Sequence, residues 1–365
     1  MKKLTIATPL YPPDIGGPAT YTKLLEDALP KYGVEVEVVS FGKSRHLPKG
    51  ISHLHFFWRV LRSVARTDVV LAQDPVSVGL PTMFAAKLKR KKFVIRMPGD
   101  YAWEQSVQRY QVSDTIDDFQ TKRYGFRVEL LRSVQVFVSK RADAIITPSD
   151  YFKRLVSGWG IDLEQISTVY NGIDLSQPPT YIEKPTEKTM VTAGRLVPWK
   201  GMPVLLKVLQ QLPGWRLKII GEGPQQSALE AMVAEQRLSD RVDFLGKLPR
   251  SDVLGWCKVA DAFVLNTYFE SFSFQIAEAM MAGSAIVTTK IGSLPELITN
   301  GEQGVLVEPD DISAIVDAVS STVESPQLWQ QRKDSAQEKA KAFTLENTVN
   351  STLSVLHKVS HEPVT

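Results

Sequence analysis

Apolar positions fall in short runs along the chain, each followed by a loop and a stretch with apolar residues at helical spacing. LTIATPL, VEVEVVSF, DVVLAQD, KKFVIRM and DAIITPS have the length and β-branched content of strands, and stretches such as ATYTKLLEDALPKYG read as helices. The pattern lapses over NGIDLSQPPTYIEKPTEKT (171–189), which is rich in Pro, Thr and charge and reads as a linker centred on 176–188. It then resumes with MVTAGRL, RLKIIGEG, RVDFLGKL, DAFVLNT, SAIVTTK and GVLVEP. Strand–helix alternation predicts βαβ units and parallel sheets, hence two doubly wound α/β domains facing across a cleft, at 1–175 and 189–342. The tail, 343–365, carries one more helical pattern, TLENTVNSTLSVLHKVSHE.

A chain of 365 residues is long for a single core, which agrees with two domains. The single cysteine, Cys257, excludes a disulfide framework and a cysteine metal cage and suits a reducing compartment. The opening MKKLTIATPLYPP resembles a signal peptide only until Pro9, Pro12 and Pro13 cut the apolar run, so a first strand is the better reading. No uncharged apolar stretch approaches the length of a membrane span, and a cytoplasmic protein is expected.

Charge is unevenly spread. Residues 1–182 hold 25 Lys and Arg against 18 Asp and Glu, while the remainder holds 18 against 22. KLKRKK (Lys87–Lys92) packs five charges into six residues. It reads either as a solvated helix end before a strand or as a patch for an anionic partner such as phospholipid headgroups at the inner face of a membrane. Nucleic acid is not expected, because zinc spacing, RNA-binding aromatic motifs and a long basic helix are all missing.

Open α/β sheets bind ligands beyond the carboxyl ends of their strands, where helix N-termini offer amides to anions. Four such strand ends carry chemistry. After the first strand, Gly16 and Gly17 in YPPDIGGPATYTKLL allow close backbone approach to a ligand, or make an ordinary turn. In TAGRLVPWKGM, Arg195 and Lys200 together suit a diphosphate, the alternative being two surface cations. IIGEGPQQSALE looks like a dinucleotide fingerprint, but Gln226 stands where the third glycine belongs, and Pro224 is expected to open the helix.

The fourth strand end is FESFSFQIAEAMMAGSAIVTT. A helix starting near Ser273 would be capped by Ser271 or Ser273 and would leave amides free at Phe274 and its neighbours. Eight residues at helical pitch let Glu270 and Glu278 face one side, the first toward a sugar and the second toward a ribose diol. The plain alternative is an amphipathic helix with one exposed glutamate.

These residues resemble a family. FESFSFQIAEAMMAGSAIVTTKIGSLPELITNGEQGVLVEPDD is similar to the signature of retaining glycosyltransferases of family four, which have the GT-B fold. The likeness extends over Gly16–Gly17, PSDYFK (148–153), YNGID (170–174), GRLVPWKG (194–201), GEGP (221–224) and FLGKLPRSDV (244–253). It implies that Arg195 and Lys200 hold the donor diphosphate, that Glu278 holds the ribose and that Glu270 contacts the donor sugar. Gly221, Ser273 and Phe274 join the implied donor site, and backbone around Leu248 is similar to the part that reads the base. The C-terminal helix is implied to pack back on the N-terminal domain. Two departures stand out. Serines occupy 271 and 273, where the family commonly has glycines. IRMPGDYAWEQS also lacks the histidine many members carry after the fourth strand, which makes Asp100 the candidate acceptor-side group; its alternative is the cap of a helix over YAWEQ.

The implied reaction is retaining transfer from a nucleotide-diphosphate sugar to a glycan, lipid-linked or other hydroxyl acceptor. With no metal-ligand cluster in the sequence, Arg195, Lys200 and helix amides must meet the charge on the leaving diphosphate. No cofactor is expected beyond the sugar nucleotide. A nucleotide-sugar epimerase of the same architecture and a non-catalytic sugar-nucleotide binder are the rivals. The acceptor side is aromatic and basic over ISHLHFFWRVLRS (51–63), where HFFWRV reads as a core helix face or as a surface that leans on a membrane.

Overall fold

The computed structural model describes residues 1–360 apart from Ile15, Lys49 and Leu175. The described chain divides into two compact units, one of Met1–Tyr170 with the C-terminal helix and one of Asn171–Thr344.

The first unit runs β1 (Lys3–Thr8), α1 (Gly17–Ala28), β2 (Glu35–Ser40), α2 (Ile51–Val64), β3 (Val69–Ala72), α3 (Gly79–Leu88) and β4 (Lys92–Arg96). It continues through α4 (Tyr101–Tyr110), α5 (Ile116–Thr121), α6 (Phe126–Ser139), β5 (Ala144–Thr147), α7 (Asp150–Ser157) and β6 (Ile166–Thr168). The strands form one parallel sheet in the order β2-β1-β3-β4-β5-β6. β3 and β5 are buried along their whole length, which is why they read as continuous apolar runs. β6, with only Ile166 buried, left no such run to read.

The second unit repeats the plan with β7 (Lys188–Ala193), α8 (Met202–Gln210), β8 (Trp215–Ile220), α9 (Gln226–Glu235), β9 (Val242–Gly246), α10 (Arg250–Val259) and β10 (Ala262–Leu265). Then come α11 (Phe274–Ala282), β11 (Ile286–Thr289), α12 (Leu294–Leu297), β12 (Val305–Val307), α13 (Ile312–Glu324) and α14 (Pro326–Ala340). Its parallel sheet has the order β12-β11-β10-β7-β8-β9, so the strand order reverses between β7 and β10. Met190, Leu217, Val264 and Val287 on the strands pack with Leu205, Ile315 and Trp329 in its core.

After α14 the chain re-enters the first unit as α15 (Leu345–Ser360), whose Val349, Leu353 and Leu356 join the core of Leu4, Ile6 and Leu25. Tyr21 and Thr352 share a buried hydroxyl hydrogen bond of 2.5 Å, and Thr348 Oγ1 donates to the Tyr170 carbonyl at 2.8 Å. Asn171–Asp174, counted with the first domain on sequence, belong to the second unit. Ile173 N–H donates to the Phe343 carbonyl at 2.9 Å and ties this segment to the end of that unit. The linker lies against the second unit as well: Thr180 N–H donates to the Ser251 carbonyl at 2.9 Å, and Thr180 Oγ1 donates to Asp252 at 2.6 Å.

Candidate functional site

The candidate residues of the second unit collect around the point where its strand order reverses. The loop after β7 carries Gly194–Gly201 and the loop after β10 carries Asn266–Ser273, and these two strands are neighbours in the sheet. A doubly wound sheet offers its ligand crevice at such a point. The loops are stitched together by backbone: Tyr268 N–H donates to the Trp199 carbonyl at 2.8 Å, and Thr267 Oγ1 donates to the same oxygen at 2.9 Å. Gly201 has φ +54°, and a Cβ there would sit 2.4 Å from the Asn266 carbonyl oxygen. Only glycine combines that conformation with that approach.

This clamp delivers Lys200 to Glu270. Lys200 Nζ donates to Glu270 Oε1, with each residue only 7% exposed. Burial pushes the Glu270 carboxyl up, against the opposing pull of the Lys200 ammonium. Glu270 is also fixed from behind. Its carbonyl accepts from Ser293 N–H at 3.0 Å, and a Cβ on Gly292 (φ +56°) would fall 2.4 Å from that carbonyl oxygen. Gly292 and Ser293 were not read as site residues, although a glycine after a strand and before Ser-Leu-Pro is a recognisable turn-to-helix signal.

Ser273 caps α11: it is fully buried, and its Oγ accepts from Ile276 N–H at 3.4 Å. Among the described residues the amides of Phe274 and Gln275 take no partner, so the helix start presents two free donors. Phe274 is half-buried, edge-on to Phe272 with ring centroids 5.5 Å apart.

Glu278 departs from expectation. Rather than offering both oxygens to a ligand, it accepts from Arg250 Nε at 2.6 Å on Oε1. Arg250, the first residue of α10, also donates from Nη1 to the Asp174 carbonyl at 3.0 Å and to Gln177 Oε1 at 3.2 Å. Burial raises the Glu278 pKa while Arg250 pulls it down. Arg250 lay inside a motif read only for its backbone. Its pairing with Glu278 depends on α10 packing against α11, which local pattern does not encode.

Arg195 shares the loop of Lys200 but is exposed, with no side-chain partner among the described residues. Gly221 serves loop packing: with φ +129°, its Cβ would fall 1.9 Å from the Gly194 carbonyl oxygen. Leu248 is half-buried in the loop after β9, two positions before Arg250. Pro224 lies in a turn, and α9 opens at Gln226 instead.

In the first unit, Gly16 (φ +153°) precedes α1, and a Cβ on it would press on Leu10 Cδ1 at 2.8 Å, whereas Gly17 borders open space. Asp100 takes the capping role. It is 1% exposed and caps α4, its Oδ1 accepting from Trp103 N–H at 3.0 Å and from Gln135 Nε2 at 2.9 Å. Its Oδ2 accepts from Gln120 Nε2 at 3.0 Å. These bonds make the carboxylate a cap, the alternative noted for it on sequence, and it also lines a cavity with Phe119, Gln120, Arg132 and Trp159.

No three His, Cys, Asp or Glu side chains gather as a metal cage among the described residues, and no described helix is long and apolar enough to cross a membrane.

Two sequence profiles match end to end: Glycosyltransferase Family 4 over residues 15–177 and Glycosyl transferases group 1 over residues 177–342. The chain belongs to this glycosyltransferase family. Glycogen synthase of Mycobacterium tuberculosis is 31% identical over 216 residues, 57% of this chain and 52% of that protein. The chain thus spans about half the length of the curated relatives it matches. Among solved structures, sucrose-phosphate synthase of Thermosynechococcus elongatus superposes with a TM-score of 0.79 at 18% identity, covering 98% of this chain and 99% of that one. Anabaena HepE in complex with UDP and glucose gives a TM-score of 0.76 at 19% identity, with the same coverage. The fold is GT-B, two doubly wound parallel-sheet units in tandem.

Proposed function

We propose that this member of the family is a retaining, metal-independent glycosyltransferase that moves a sugar from a nucleotide-diphosphate sugar to a hydroxyl on a glycan or lipid-linked saccharide. The observation that carries the reading is the buried Lys200–Glu270 pair, held on the loop that leads into the free first-turn amides of α11.

Breaking the bond between the anomeric carbon and the diphosphate oxygen leaves positive character on the sugar and negative charge on the phosphate. Lys200, Arg195 and the amides of Phe274 and Gln275 meet the second. Glu270 accepts from the donor sugar's hydroxyls and, beside Lys200, fixes the ammonium where the charge develops. Glu278 takes the ribose through the oxygen Arg250 does not occupy, and the loop around Leu248 reads the base. In a front-face route the departing phosphate oxygen takes the proton of the acceptor hydroxyl as that oxygen bonds the anomeric carbon, so no separate base is required. HepE bound to UDP and glucose supports uridine nucleotides as the first donors to try. A cytoplasmic site of action, at the inner face of a membrane, goes with a lipid-linked acceptor.

The test is a panel of UDP-, GDP- and ADP-sugars assayed for protection against thermal unfolding, followed by product analysis. One nucleotide series is expected to raise Tm and to undergo slow hydrolysis with retained anomeric configuration. A new epimer formed without acceptor would convert the reading to an epimerase, and protection by none would end it.

A further inference from the structure

The first unit carries an exposed apolar face outside the proposed donor residues. α2 and α3 pack side by side. Inward, Phe56, Val60 and Met83 are fully buried. Outward, Ile51, Leu54 and Trp58 on α2, with Phe84 and Leu88 on α3, are each at least half exposed. Spacings of three and four residues align each set along one stripe of its helix. Within HFFWRV, Phe56 and Val60 thus build the core while Trp58 faces water.

The charge around these stripes has one sign. No Asp or Glu occurs between Val38 and Thr67 or between Pro75 and Gly99. Arg62 continues the α2 stripe, and Lys87, Lys89 and Arg90 at the end of α3 are exposed. Three neighbouring acids are engaged elsewhere. Asp68 accepts the backbone N–H groups of Lys2 and Lys3, Asp74 accepts from Ser77, and Asp143 pairs with Lys92.

We infer that the α2–α3 face docks the protein peripherally on an anionic phospholipid surface, Ile51, Leu54, Trp58, Phe84 and Leu88 entering the headgroup boundary while the flanking cations meet lipid phosphates. Exposed apolar residues rimmed by cations are what an interfacial helix pair presents, and tryptophan favours that boundary. A protein partner fits less well, since lysine is depleted at protein–protein interfaces. A second copy docking by the same face would bring like charges together. The inference deepens the membrane-side setting of the proposed reaction and does not rest on the donor site.

The experiment is flotation of the full chain with vesicles of phosphatidylcholine alone or mixed with phosphatidylglycerol, at about 0.1 M and about 0.5 M salt. Wild type is expected to float only with the anionic vesicles and to detach at high salt. Lys89→Glu with Arg90→Glu is expected to weaken partitioning at least 25-fold, at about fivefold per cation. Trp58→Ser with Leu88→Ser is expected to abolish flotation while leaving Tm and nucleotide-sugar protection unchanged, because both positions are exposed and lie outside the unit that holds the donor residues. Equal flotation on neutral vesicles, or none on anionic ones, overturns the inference. So does a dimer that Trp58→Ser with Leu88→Ser dissolves while vesicles are ignored, since that would assign the face to self-association. Failure of flotation with intact donor protection, or the reverse, shows which of the two readings has failed.

Discussion

Arg250 and Glu278, from the first turn of α10 and the middle of α11, share a 2.6 Å hydrogen bond that occupies one carboxylate oxygen. Burial, the larger influence, sets the Glu278 pKa above the ordinary value of 4.5, and Arg250 opposes it. The folded protein therefore holds that proton more tightly than the unfolded chain. The proton's contribution to stability is complete below 4.5 and is lost as pH rises through the folded value. The Tm of wild type relative to Glu278→Gln is expected to fall as pH rises from this point. Arg250→Gln should push the carboxyl higher still, visible by NMR of labelled glutamate. A difference that stays flat with pH would remove the raised carboxyl from the account.

Lys200→Ala should lower turnover by about 10²–10³, the cost of one preorganised donor to a developing anion. It also strands Glu270 in a buried position, and breaking a buried pair costs about 3–5 kcal/mol. The two effects separate in the double variant. Lys200→Ala with Glu270→Gln should recover much of the lost unfolding free energy in urea while turnover stays low. If turnover returns with stability, Lys200 is structural only.

Asp100→Ala should act oppositely. The cap is worth about 0.5–2 kcal/mol, and each amide donor of Gln120 or Gln135 left without its acceptor adds about 1–3 kcal/mol. Urea denaturation should show that loss, while kcat measured well below the lowered Tm stays near wild type. A collapse of kcat in a folded variant would return Asp100 to the acceptor side.

Legibility followed the range of the forces involved. Strands buried on both faces, such as β3 and β10, announce themselves as apolar runs because every side chain is in the core. The Ser273 cap was readable because a cap is a local bargain between a side chain and an amide three residues on. The meeting of Lys200 with Glu270 could be anticipated only through the likeness of whole segments, since 70 residues and a crossover separate them. Arg250 and Gly292 escaped notice for the same reason. Each acts by touching Glu278 or Glu270 from another element, and nothing in its own neighbours records that contact. Asp100 was legible only in part: sequence showed a cap and a candidate ligand with equal force, and the bonds from Gln120 and Gln135 come from elements far along the chain.

Gly292→Ala tests one of those unseen contacts. The added methyl would lie 2.4 Å from the Glu270 carbonyl oxygen on a backbone with φ +56°, so the turn must shift and carry Glu270 with it. Small displacements of a positioned group can cost about 10² in rate. Turnover is expected to fall about a hundredfold with donor affinity weakened less. Unchanged kinetics in a variant of normal Tm would show that the turn does not position Glu270.

Metal dependence probes the electrostatic design as a whole. A divalent ion in a sugar-nucleotide reaction neutralises the diphosphate, and it needs carboxylates free to hold it. Here Glu270 is committed to Lys200 and Glu278 to Arg250, while Lys200, the exposed Arg195 and the free amides of α11 offer positive charge directly. A cation brought among those groups would meet repulsion as well as attraction. Initial rates should therefore be the same in EDTA as with added Mg²⁺ or Mn²⁺, and Lys200→Ala should not be rescued by either ion. Strict dependence on an added metal, or its rescue of Lys200→Ala, would mean that the lysine and the helix start do not carry the leaving-group charge.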